Sequence, residues 1–170
     1  VTLRPVGLHI EEIKQMAIRE EYRDLVGYLE KAIGIIEKMG MRILDFRPRS
    51  VKVLLPIKPN VNHIGTVYAG SLFSLADYTG GVLFYASFDH RKYYPLLKEV
   101  TMTFKSPATT DITVEASMNP EEAERLIKMA EDTGKADWVM NLELKDEQGK
   151  TCCIVHGSFQ MRKVQAGAVK

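Results

Sequence analysis

Residues 69–86 constrain this chain more than any other segment. They are apolar almost all round a helical wheel, the pattern of a helix buried on every side. Inside that run stands one carboxylate, Asp77. At about 100° per residue it shares a narrow face with Gly70, Ser74, Gly81 and Phe88. Its i+3 and i+4 neighbours are Gly80 and Gly81, which leave open space beside the carboxylate. A buried carboxylate is costly unless it is paired or hydrogen-bonded. Each glycine inside a helix costs about 1 kcal/mol relative to alanine. Three unfavourable choices in one patch point to chemistry there. The plain alternative is that Asp77 caps a neighbouring backbone, or lies exposed because the helix is shorter.

The rest of the chain supplies what would enclose such a helix. Residues 9–39 keep helical spacing through Ile10, Ile13, Met16, Leu25, Leu29, Ala32 and Ile36, and Gly40 is a natural stop. Residues 41–58 hold a strand, with Val51, Val53 and Leu55 on one face and Pro56 and Pro59 ending it. Residues 60–67 read as a loop. Alternation then marks Val100 to Phe104, Ile112 to Met118, Ala136 to Leu144 and Thr151 to Met161. Between the second and third of these, Asn119-Pro120-Glu121-Glu122 opens a helix: an N-cap, a first-position proline and acids in the first turn. Gly134 ends it. Short links between consecutive strands favour an antiparallel sheet, and one buried helix against it makes an α+β architecture. The expected division is a helical extension over 1–40, the main domain over 41–163 and a frayed tail over 164–170.

Composition narrows the function classes. At 170 residues the chain is long enough for one domain with its own core. Lys and Arg total 23 against 22 Asp and Glu, so nothing signals nucleic acid. A membrane span through 64–88 would put Asp77 near mid-bilayer, at a cost of about 3 kcal/mol. Cys152 and Cys153 are adjacent, so on a strand they face opposite ways and do not readily bridge. No spacing suggests a metal site. The first ten residues lack a long apolar run, and the expected compartment is the cytoplasm.

Tyr68-Ala69-Gly70-Ser71 opens the buried helix, with Asn60, Asn62 and His63 just before it. Small residues there expose free N–H groups at the positive end of a helix dipole. With a carboxylate two turns on, this describes a carbonyl-polarising site beside a general base.

At these residues the sequence resembles the hotdog-fold acyl-CoA thioesterases, particularly the phenylacetyl-CoA thioesterase-like subgroup. The block from Asn62 through Gly65, Thr66, Tyr68, Ala69 and Gly70 to Leu75-Ala76-Asp77 is similar to that family's run of Asn, Thr, His-Gly-Gly and Leu-Ala-Asp. Phe104-Lys105-Ser106-Pro107-Ala108 resembles its second-strand ending. The resemblance implies an antiparallel sheet wrapped around one long central helix, with the N-terminal helices as an addition. It also implies a homodimer, or a dimer of dimers, with sites at the subunit interface. It makes Asp77 the catalytic carboxylate, the Ala69 amide the oxyanion donor with Gly70 beside it, and Asn62 the carboxamide that places substrate or water. Tyr68 stands where the family has His, and Ala69 where it has Gly. Leu96-Leu97-Lys98 stands where some members carry an assisting Ser or Thr.

The expected reaction is hydrolysis of an acyl-CoA or acyl-carrier thioester, with Asp77 as base or nucleophile. Coenzyme A is part of the substrate, and no separate cofactor is expected. The acyl chain would lie in the space opened by Gly80 and Gly81. Tyr68 would line or narrow the thioester pocket, with His63 beside it. Lys105, Arg91, Lys92 and Lys98 are candidate phosphate partners. One alternative is a hotdog hydratase or dehydratase using His63, 14 residues before Asp77; that family's His is followed by Phe-Pro, whereas Ile64-Gly65 follows here. Another is an acyl-CoA-binding module without catalysis.

Overall fold

The computed structural model describes residues 18–164. The helical spacing expected over residues 9–17, and the tail after 164, lie outside the described residues. Within them the N-terminal helix is two helices, α1 (Arg23–Ala32) and α2 (Gly34–Met39), preceded by a 3-10 turn at Glu20–Tyr22. Ile33 separates them with an extended backbone (φ −118°, ψ 111°). Gly40 ends α2 at φ 71°, a left-handed conformation that glycine adopts at little cost.

Next come β1 (Arg42–Arg47), β2 (Ser50–Leu55), a 3-10 turn at Lys58–Asn60, and the central helix α3 (Ala69–Ser87). The second half runs β3 (Tyr93–Phe104), β4 (Ile112–Ser117), α4 (Pro120–Thr133), β5 (Lys135–Lys145) and β6 (Thr151–Lys163). The strands form one sheet in the order β1-β2-β4-β5-β6-β3, and every pairing is antiparallel. Helix α3 packs against β2, β3, β4, β5 and β6. The expected sheet around a central helix is therefore present.

Two strand expectations need correction. The segment 41–58 holds a hairpin rather than one strand, because β1 precedes β2. Over 41–47 the buried residues are Met41, Ile43 and Phe46, spaced by two and then by three. A bulge between Ile43 and Asp45 makes that shift and hides the alternation. Likewise β3 starts at Tyr93, well before Val100. A second bulge between Leu97 and Glu99 moves its inward face from Tyr93, Pro95 and Leu97 to Val100 and Met102. Pro95 sits comfortably because β3 is an edge strand.

The helix after β4 follows the sequence reading. The Asn119 side chain accepts from the Glu122 amide at 2.7 Å, and Gly134 ends α4 at φ 82°. Ala123, Leu126 and Ala130 are its buried stripe, and α4 packs on β5 and β6. Tyr93 and Lys163 both bond Glu131 on it. Val164, where fraying was expected to begin, donates its amide to the Lys92 carbonyl at 2.8 Å. Cys152 and Cys153 are both buried and unbridged.

Candidate active site

The loop before α3 is shaped by its two asparagines. Asn60 is buried, and its Nδ2 donates to the carbonyls of Met39 (2.8 Å) and Pro56 (2.7 Å). Its own carbonyl accepts from Tyr68 N at 2.8 Å. Asn62 folds the loop tip: Oδ1 accepts from the amides of Ile64 (3.0 Å) and Thr66 (3.1 Å), while Nδ2 donates to Thr66 Oγ1 (2.8 Å). Val67 N donates to the Ala108 carbonyl at 2.8 Å, tying the loop to the segment after β3. The Asn62 carboxamide is thus engaged within its own loop.

These bonds fix where α3 begins. Tyr68 is its N-cap, extended at φ −62° and ψ 134°, with no side-chain cap bond. Its carbonyl accepts from Ser71 N and Leu72 N. The amides of Ala69 and Gly70 have no acceptor among the described residues. Two free N–H groups therefore stand at the positive end of a 19-residue helix. The exposed Tyr68 ring folds back over Gly70, where a Cβ would meet Tyr68 Cε1 at 2.3 Å. A side chain at position 70 would displace that ring from the helix start.

Asp77 lies eight residues after Ala69, about 12 Å along the helix axis. It was expected to be buried; on the single chain it is exposed. Ala69, Phe73 and Asp77 form the exposed strip of α3, and Asp77 lies where that strip borders β3 and Phe159 of β6. Enough protein still surrounds its carboxyl for desolvation to raise its pKa above the ordinary aspartate value. It has no hydrogen-bond or ion-pair partner among the described residues.

The neighbouring glycines differ. A Cβ on Gly80 would meet the Phe159 ring at 2.3 Å and 2.5 Å, so Gly80 is filled space, not the open space expected. A Cβ on Gly81 would meet nothing within 4 Å. Two cavities flank Asp77. One, against Phe73, Leu97, Val100 and Phe159, closes too tightly for a water. The other is an apolar groove of about 380 Å³ between α1 (Leu29, Ala32, Ile33), α3 (Asp77, Gly81, Tyr85) and β3 (Pro95, Leu96, Leu97).

The other candidates are spread out. His63 is exposed in the loop ahead of α3 and makes no hydrogen bond or ion pair with Asp77. Lys105 is exposed just past β3, three residues before Ala108, at the helix-start end of the molecule. Arg91 and Lys92 follow the far end of α3, where Arg91 pairs with Asp89. Lys98 pairs with Asp137 at 2.7 Å. No cluster of three or more metal-ligating His, Cys, Asp and Glu side chains occurs among the described residues. No described helix is long and apolar enough to cross a membrane. Neither the groove wall from α1 nor the place of Tyr85 in it is legible in the sequence. The stripe of α1 signals that it packs, but not on what.

The family described as "Domain of unknown function (DUF4442)" matches residues 29–162. No curated protein matches the sequence. Among solved structures, a Pseudomonas aeruginosa protein described as of unknown function and a probable thioesterase is 38% identical, with a TM-score of 0.78 over 82% of this chain and 93% of that one. A Chlorobaculum tepidum protein of unknown function is 18% identical, with a TM-score of 0.73 over 85% and 95%. The thioesterase HI1161 of Haemophilus influenzae is 12% identical, with a TM-score of 0.64 over 99% and 97%. The last two likenesses show the fold alone, a hotdog sheet around its helix.

Proposed function

This chain belongs to the DUF4442 family, with the hotdog fold of the thioesterase-like superfamily, and from that premise we propose that it hydrolyses acyl-CoA or acyl-carrier thioesters. The observation that carries the reading is Asp77: a carboxylate with a raised pKa and no partner, on the open face of a buried helix, beside an apolar groove. A group left unpaired at that cost suits a general base or a nucleophile. The free amides of Ala69 and Gly70 suit the oxyanion of a tetrahedral intermediate. The 38% identical Pseudomonas protein, itself described as a probable thioesterase, supports the same reaction class.

In the proposed reaction the thioester carbonyl accepts from Ala69 N–H. Asp77 takes a proton from water as the water attacks the carbonyl carbon, or attacks that carbon itself. In the first route the C–S bond breaks as the tetrahedral intermediate collapses, and the thiolate takes the proton that Asp77 accepted from water. In the second the thiolate leaves an acyl-aspartyl anhydride. A water then hydrolyses the anhydride, freeing the acid and restoring Asp77, while its released proton balances the thiolate. Asn62 holds the loop that presents the amides, and Tyr68 and His63 flank the mouth. Lys105 faces the phosphates of coenzyme A at the helix-start end. Coenzyme A enters and leaves as substrate and product, so no resident cofactor is needed.

Helix geometry supports the homodimer, or dimer of dimers, that the family resemblance implies. About 12 Å of axis separates Ala69 from Asp77, so one chain cannot apply both groups to one carbonyl. A second copy can bring its Asp77 to this chain's Ala69. The free edge of β3 supports such a pairing: it is a 12-residue edge strand with half-buried Leu97, Val100 and Met102 and exposed Phe104.

The test is turnover of butanoyl-, octanoyl-, decanoyl- and tetradecanoyl-CoA, followed by thiol release. The expected result is turnover on at least one, lowered 10²- to 10⁴-fold, as an order of magnitude, in Asp77→Asn. No turnover by the wild type on acyl-CoA or acyl-carrier thioesters would sink the hydrolase reading. Acyl-CoA binding without turnover would favour a binding module instead.

A further inference from the structure

We infer that the groove beside Asp77 measures the acyl chain, with Gly81 setting its width, Tyr85 its length and helix α1 its outer wall. The substrate class is then a medium-length aliphatic acyl group. The inference rests on the thioesterase reading and adds what that reading leaves open.

Gly81 carries the first half. Nothing in the fold requires a glycine there. Its backbone is not among the positive-φ positions, and a Cβ would meet no atom within 4 Å. Alanine would favour the helix by about 1 kcal/mol. Gly80 next to it is explained by the Phe159 ring, and Gly70 by the Tyr68 ring. Only Gly81, of the three in α3, lacks an occupant within its own chain. The space above it belongs to the groove of about 380 Å³ that also touches Asp77. That volume lies within the range of small-molecule pockets, and the lining is mainly apolar.

Tyr85 carries the second half. It lines the same groove eight residues beyond Asp77, about 12 Å further along the helix. Its ring is held from two sides, by His90 at a centroid distance of 5.1 Å and edge-on by Phe84 at 5.8 Å. A ring held there would stop an extended chain that starts beside Asp77. With ordinary C–C bond lengths, about 12 Å accommodates about nine or ten carbons of an extended chain. The opposite wall is Leu29, Ala32 and Ile33 of α1, so the N-terminal helices become part of substrate selection.

The experiment measures kcat/KM on the butanoyl- to tetradecanoyl-CoA panel for wild type, Gly81→Leu and Tyr85→Ala, with circular dichroism and Tm to confirm folding. In the wild type kcat/KM should rise about fourfold per added methylene up to about ten carbons and then level off. Gly81→Leu should lower the decanoyl-to-butanoyl ratio at least about tenfold by filling the groove. Tyr85→Ala should raise the tetradecanoyl-to-decanoyl ratio about fivefold or more by opening its end. An active enzyme whose ratios do not move in either variant overturns the assignment. If Gly81→Leu does not fold, Ala32→Trp narrows the groove from α1 and must lower the same ratio. Should the wild type turn over none of these thioesters, the hydrolase reading fails separately. Calorimetric titration with decanoyl-CoA then decides the groove: affinity lost at least about tenfold in Gly81→Leu supports it, and equal affinity or no binding overturns it.

Discussion

The two faces of helix α3 answer to different demands. Facing the sheet, Leu75, Thr79 and Phe84 have no exposed surface, and Val82 and Leu83 have 1% each. Even the polar member is satisfied, since Thr79 Oγ1 donates to the Leu75 carbonyl at 2.7 Å. Every choice on that face serves folding. On the open face, Ala69 and Gly70 carry amides without acceptors, Asp77 has no partner, and Gly81 lacks a side chain that the helix would favour. Free amides are what any helix start leaves, but neither the unpaired Asp77 nor the bare Gly81 serves folding. One helix therefore separates residues that stabilise from residues kept at a cost, the usual mark of a functional patch.

The sharpest way to break this contrast is to remove one amide without touching the sheet face. Ala69 is the first residue of α3, and Tyr68 before it already has the extended backbone that precedes proline readily. Ala69→Pro should keep the fold and lower kcat about 10²- to 10³-fold. Mixing Ala69→Pro chains with Asp77→Asn chains then tests the dimer. If each site draws Ala69 and Asp77 from different chains, a heterodimer keeps one intact site. Statistical mixing should restore roughly a quarter of wild-type activity, from half the dimers with half their sites. Refolded mixtures as inactive as either parent would place both groups in one chain.

Charge gives the next test. The native pKa of Asp77 is raised, so the folded state binds its proton more tightly than the unfolded one. Stability from this group is fullest at low pH and is lost as pH rises through the raised native value. Asp77→Asn should therefore raise Tm at neutral pH, and the gain should shrink as the medium is acidified. In the wild type, kcat/KM should fall on the acid side with a midpoint above the ordinary aspartate range. A midpoint at or below that range would show that Asp77 is not the titrating base.

The adjacent glycines give the smallest effects and the cleanest contrast. Gly80→Ala pushes a methyl into the Phe159 ring and should cost about 1–3 kcal/mol. Gly81→Ala meets nothing and should stabilise by up to about 1 kcal/mol. Denaturant midpoints of the two variants should move in opposite directions. Equal losses would mean that the space over Gly81 is not open.

Much of the frame was legible from residues alone. The all-apolar run gave α3 within a residue of its bounds, and Asn119 and Gly134 bracketed α4, because caps and periodicity are local effects. Strands β5 and β6 showed their period of two directly. β1 and the first half of β3 escaped because a bulge in each shifts the inward face by one residue. Asp77 was legible as the anomaly of its helix, but its exposure was not. The pattern of one helix says how apolar its surroundings can be, and nothing about which side the sheet leaves uncovered.

The sequence by itself determined the elements, the helix start with its free amides, and the carboxylate two turns on. These depend on residues a few positions apart, whose preferences add along the chain. Only the tertiary structure decided that Gly80 is filled and Gly81 is open, that Val67 is tied to the Ala108 carbonyl, and that α1 faces Asp77 across a groove. Each depends on atoms from distant segments meeting or failing to meet. A cavity is such a failure to meet, so no single segment encodes it.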